Sequence, residues 1–154
     1  MSKPAAVIIT LEDSASWLDQ RLILAYLHTT YRVRTPTFDL RIGQSNPVFD
    51  LWLAENKVHQ FAFITAWNPQ SQSLSMEENT RRNQELEKEF YLMSIKILPG
   101  LGIGDDSDWP PEASCCALNI SPEQAVALGR KFDQNALVFG RKGEVPALWW
   151  VAEK

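Results

Sequence analysis

The chain has 154 residues, 45% of them hydrophobic and 22% charged, and its 15 basic and 19 acidic side chains leave a formal charge of -4. That is enough chain to bury one core without disulfides or a structural metal, so a single domain spanning 1–154 is expected and a disordered or fibrous class is excluded. The acidic balance argues against a grip on nucleic acid, and the longest charge-free stretch, Val58 to Met76, carries too many polar residues to span a membrane.

Near the start, the apolar run Ala5 to Leu11 is closed by Glu12 and Asp13 before it reaches signal-peptide form, which predicts a cytoplasmic protein. From Ser14 to about Thr29, Trp17, Leu18, Leu22, Ala25 and Tyr26 recur at three- and four-residue steps, predicting an amphipathic helix. The period then changes to two. Tyr31 and Val33, then Phe38, Leu40 and Ile42, predict two strands or one strand broken at Pro36, with a wet face. Asn46 followed by Pro47 predicts an N-cap and a short helix through Phe49, Leu51, Trp52 and Leu53. Phe61 to Trp67 is apolar on both alternating faces, as a strand in the middle of a sheet would be.

After the polar loop Asn68 to Ser73, Ser75 and Glu78 predict a capping box for a long helix to about Leu92, and Ile95 to Leu98 reads as a strand. Ser121, Pro122 and Gln124 repeat the capping pattern for a helix with Ala125, Leu128, Gly129 and Phe132 on one face. Asn135 to Phe139 and Val145 to Val151 predict a closing hairpin, with Pro146 marking the last strand as an edge. The fold class is therefore α+β, a mixed or mainly antiparallel sheet of about five or six strands packed with about four helices. The basic pairs Arg32/Arg34, Arg81/Arg82, Arg130/Lys131 and Arg141/Lys142 read as solvated surface. Adjacent Cys115 and Cys116 point to opposite faces of an extended chain, which does not suit a mutual disulfide, and they read as reduced core residues.

Three places break the local rules, where functional or strained sites tend to lie. The long helix turns Asn79 and Asn83 toward the core at the head of a stripe continuing through Leu86, Phe90 and Met93. Its start should lie beside Thr65 and Asn68 at the carboxyl end of the central strand, a position that favours an anionic or carbonyl-bearing ligand. The competing reading is that the two amides tie down the Asn68 loop. The second place is 100–113, read as a 14-residue loop with three glycines, two prolines and four acids. Asp105, Asp106 and Asp108 lack calcium-loop spacing and Gly100, Gly102 and Gly104 lack dinucleotide or phosphate-loop spacing, so no metal or cofactor is expected and the glycines suggest left-handed or tightly bent backbone. The third is a set of six tryptophans, of which Trp109 is expected at a pocket rim or partner surface.

These residues resemble a bacterial family catalogued as a domain of unknown function, number 3293. The resemblance is carried by Phe61 to Pro69, Glu78-Asn79, Trp109 with Glu112 and Ser114, and Phe132 to Ala136, and is read as covering most of the chain. It implies no activity. Asp133 stands where the family pattern has glycine, a departure that concerns the turn after a helix. Joining the family positions to the rule-breaking ones assembles a polar cluster of Thr65, Asn68, Asn79, Glu112, Ser114 and Gln134, with Glu112 its single acid and candidate base. The leading reading is a small protein that binds a polar or anionic small molecule at this cluster. The alternative is an interaction module, homodimeric or with another partner, docking through the Trp109 loop or a Trp149-Trp150 edge strand.

Overall fold

A computed structural model describes residues 6–9, 19–106 and 108–153. The elements run β1 (Val7–Ile9), α1 (Gln20–Leu27), β2 (Thr29–Arg34), β3 (Thr37–Leu40), α2 (Pro47–Glu55), β4 (Gln60–Ile64), α3 (Met76–Leu92), β5 (Ile97–Gly104), β6 (Glu112–Leu118), α4 (Pro122–Lys131), β7 (Ala136–Arg141) and β8 (Ala147–Trp150). The strands form one sheet in the order β1-β8-β7-β4-β6-β5-β2-β3, and each pairing is antiparallel. The architecture is thus the expected α+β, with four α-helices and, where five or six strands were expected, eight among the described residues.

Strand alternation sorts the core into two layers. On one face Tyr31, Val33, Phe61, Phe63, Cys116, Leu118 and Val138 meet Ile23 of α1 and Phe49 and Leu53 of α2. On the other, Ala62, Ile64, Cys115, Ala117 and Leu137 meet Leu86 and Phe90 of α3 and Ala125 and Leu128 of α4. β4 lies between β7 and β6, and this double coverage explains why it is apolar on both faces. Cys115 and Cys116 are buried free thiols on opposite faces; burial pushes the Cys115 thiol up to about 12 and raises Cys116 as well, so neither is a ready nucleophile.

Local chemistry sets the helix starts. Asn46 accepts from the Phe49 N–H, and Ser121 and Gln124 form the complete capping box of α4. Ser75 caps α3 through the Glu78 N–H, but the box is only half made, because the Glu78 carboxylate turns to Arg81. α1 is capped by Asp19, which accepts from the Arg21 and Leu22 N–H groups. The described part of this helix is shorter than expected, and the proposed start at Ser14, with Trp17 and Leu18, lies outside the described residues.

Four expectations are corrected. Half of the stretch 100–113 is strand, since β5 runs to Gly104 and β6 starts at Glu112. Its glycines do not adopt the left-handed backbone, which among glycines is found at Gly43 and Gly143. β8 is not an edge, since β1 pairs along its outer side, and Trp149 and Trp150 are buried in the two core layers. Finally, two members of the basic pairs are structural: Arg82 donates to the Ala66 and Phe132 carbonyls, and Arg130 donates to the Val151 carbonyl.

Candidate functional site

The site begins where β4 stops. The ladder with β6 pairs Phe61 with Leu118 and continues to Ile64 with Cys115, so the next in-register exchange would join Ala66 to Ala113. It is replaced by a side chain. Asn83 accepts from the Ala66 N–H (2.8 Å) through Oδ1 and donates to the Ala113 carbonyl (2.9 Å) through Nδ2. One turn earlier on α3, Asn79 accepts from the Asn68 N–H (2.8 Å) and donates to Asn68 Oδ1 (2.7 Å). An i, i+4 pair lies on one helix face, so two amides can follow the chain as it leaves the sheet. Both are buried, at 2% and 7% exposure, which removes water as an alternative partner.

The same segment is clamped from its other side. Arg82 holds the Ala66 and Phe132 carbonyls together, Gln134 donates to the Trp67 carbonyl (3.2 Å), and the Gln70 N–H donates to the Asp133 carbonyl (2.7 Å). Asp133 has φ of 56°, the left-handed turn that the family glycine would suit, and aspartate adopts it here. Residues 65–71 therefore form a braced shelf beside β6.

Against this shelf lies a cavity of about 590 Å3 between α1 and the sheet. It is within the range of roughly 300–1,000 Å3 common for small-molecule sites. Its walls are largely apolar and aromatic, with Tyr26 and Leu22 from α1 and Tyr31, Phe63, Trp67 and Val138 opposite. The room comes from small residues. Gly102 and Gly104 of β5 line it, and a Cβ built on Gly102 would meet nothing nearer than 3.9 Å. Gly100 differs: its Cβ would stand 2.8 Å from the Phe63 ring and 3.0 Å from Ser114 Oγ, so close packing explains that glycine.

Of the six predicted site residues, Thr65, Asn68, Glu112, Ser114 and Gln134 line the cavity, and Asn79 stands behind Asn68. They fall into two groups. Thr65 donates to the Ala113 carbonyl and accepts from the Trp67 N–H; Asn68 accepts from Leu74 N–H and Asn79 and donates to Glu112. With Asn79 these are committed internally, as the competing reading held. Glu112, Ser114 and Gln134 retain capacity. Both donors to Glu112, Asn68 Nδ2 (2.9 Å) and Trp109 Nε1 (3.2 Å), reach Oε1, and no described donor reaches Oε2. Ser114 Oγ is the one buried side-chain polar atom without a partner among the described residues.

Burial raises the Glu112 carboxyl above its ordinary value, opposed by the Trp109 and Asn68 hydrogen bonds. Tyr26 and Tyr31 are raised first by burial and further by the Glu112 charge. The chemistry available is therefore a carboxylate in a mainly apolar hole. No nucleophile–base pair is formed among the described residues, since Ser114 Oγ has no partner and the thiols are sealed in the core. Trp109, 46% exposed, sits at the rim as expected. Sequence reasoning missed the α1 wall and Gly102; the small-residue alternation Gly100, Gly102, Gly104 was the available signal for the latter.

Fold and site together define an α+β protein with a cavity at one end of its central strand. Residues 64–137 match the family described as Protein of unknown function (DUF3293), which supports the resemblance. The match covers just under half the chain, less than the resemblance suggested, but it contains all six cluster residues. No curated protein and no solved structure matches the chain.

Two outcomes follow from this geometry. Asn83→Leu leaves the Ala66 N–H buried without an acceptor and should destabilise the protein by about 1–3 kcal/mol; an unchanged urea midpoint would contradict the bridging role. For Glu112 the sign is that of a raised acid: its contribution to stability is fully present below the unfolded-state value and is lost as pH rises through the folded-state value. The melting temperature of Glu112→Gln, relative to wild type, should therefore rise from acid to neutral pH. A pH-independent difference would remove the burial account.

Proposed function

We propose that this chain is a small-molecule binding protein whose ligand places an apolar body between α1 and the sheet and a hydrogen-bond donor at Glu112. The observation that carries this reading is the pairing of a mainly apolar cavity of about 590 Å3 with a carboxylate whose Oε2 meets no described donor. A carboxylate oxygen facing a mainly apolar cavity is only partly solvated, and a ligand that donates to it gains both affinity and orientation.

The anionic ligand suggested by the start of α3 is less well supported. Ser75 already takes the Glu78 N–H, Asn79 and Asn68 fill the space beside it, and the polar end of the cavity presents an acid. A neutral or cationic donor suits that end better. The docking alternative is less well supported: Trp149 and Trp150 are buried in the two core layers, and the half-exposed Trp109 donates its indole N–H to Glu112. A cytoplasmic location belongs to the same proposal, supported by two free buried thiols.

Gly102→Leu provides the test. Its side chain would enter open space from strand backbone that is not left-handed, so the fold should be kept or slightly stabilised while the cavity is filled. In a thermal-shift screen of small amphipathic metabolites, at least one compound should raise the wild-type melting temperature and leave Gly102→Leu unmoved. A ligand at about one hundred times its Kd adds about 2.7 kcal/mol, which is readily seen. Compounds that shift both proteins equally, or a screen that shifts neither, would contradict the reading.

A further inference from the structure

The hydrogen bonds around Glu112 narrow the chemistry of the ligand. Both of its protein partners are neutral N–H donors and both converge on Oε1. Donors favour the ionised carboxylate, so the group is arranged as an anion with one oxygen solvated by the protein and the other left open. Charged partners are missing from its surroundings. Among the described residues Glu112 takes part in no salt bridge, although six others are formed, including the bidentate Arg41–Asp105 pair at the rim. The basic side chains that line the cavity, Arg21 and His28, lie on exposed positions of α1 and its C-cap, and neither forms a salt bridge with Glu112.

Nearby polar groups agree with this polarity. Gln134 uses its Nε2 on the Trp67 and Phe132 carbonyls, and no described donor reaches its Oε1. The free capacity at this end of the cavity is therefore mainly that of an acceptor, with the Ser114 hydroxyl able to donate or accept. Aromatic rings of Tyr26, Tyr31, Phe63, Trp67 and Trp109 surround the space, and aromatic faces attract cations electrostatically. A partly buried carboxylate with no cation beside it among the described residues is an incomplete ion pair, and a ligand ammonium would complete it.

We propose that the ligand is a protonated amine with an aromatic or branched apolar body, its N–H groups donating to Glu112 Oε2. This rests on the cavity being a binding site, and the two readings separate in one experiment. Three probes of nearly the same shape are compared by calorimetry on the intact chain: phenethylamine, phenethyl alcohol and phenylacetate. Wild type should bind the amine at least about tenfold more tightly than the alcohol, with the acid weakest. Glu112→Gln should bring amine and alcohol together, and Gly102→Leu should weaken all three. Equal binding of amine and alcohol to wild type, lost in Gly102→Leu, would overturn the amine assignment and leave the cavity reading standing. Preference for the acid, or absence of binding by all three, would overturn it too. Where Glu112→Gln does not fold, the wild-type ranking decides, because a cavity without a reachable carboxylate has no reason to prefer the amine to the alcohol.

Discussion

Two side-chain amides complete the hydrogen bonding that β4 leaves unfinished, and the rest of the site depends on them. An antiparallel ladder normally ends by releasing its strands to water, since an unpaired buried backbone group is costly. Here the chain stays buried past the last rung. Asn83 occupies the place of the Ala66–Ala113 bond and Asn79 holds the Asn68 N–H, so the chain leaves the sheet without reaching solvent. The detour carries Thr65 and Asn68 to the cavity wall, where Asn68 donates to Glu112 and leaves its second oxygen open. An apolar residue at either asparagine would leave a backbone donor unpaired and loosen the wall that orients the acid.

The cavity has a second origin on β5. Gly102 stands directly opposite Glu112 across the β5–β6 ladder and beside Tyr31 across the β2–β5 ladder, so the absence of its side chain opens space next to the acid. A Cβ would stand there at ordinary contact distance from its neighbours, so close packing does not require the glycine. Retaining glycine together with a partly buried acid runs against stability, and such departures from good packing concentrate where a protein holds something else.

Much of the fold was legible in the sequence because its signals were local. Asn46-Pro47, Ser75 and the Ser121–Gln124 pair marked three helix starts, and the two-sided apolar run from Phe61 marked the central strand. The inward asparagines were legible too, from their place at the head of an apolar stripe. β6 was hidden by composition: glycines and prolines before it read as loop, whereas Gly100 and Gly102 are strand residues whose missing side chains matter to packing and to the cavity. The edge assignment of β8 failed because Pro146 precedes the strand and its partner β1 lies far away in sequence. Nothing local distinguishes Arg82, which donates to the carbonyls of Ala66 and Phe132, from the exposed Arg81 beside it. Which cluster residues are committed and which are open likewise depends on long-range pairing that periodicity does not encode.

Native-state hydrogen exchange on the backbone amides of Ala66 and Asn68 tests the central claim most directly. Neither belongs to a strand, yet each donates to a buried asparagine. Both should exchange as slowly as the amides of β4 itself, near the rate set by global unfolding. Exchange as fast as that of exposed turns would show that the amides do not hold the chain, and would contradict the account of how the site is built.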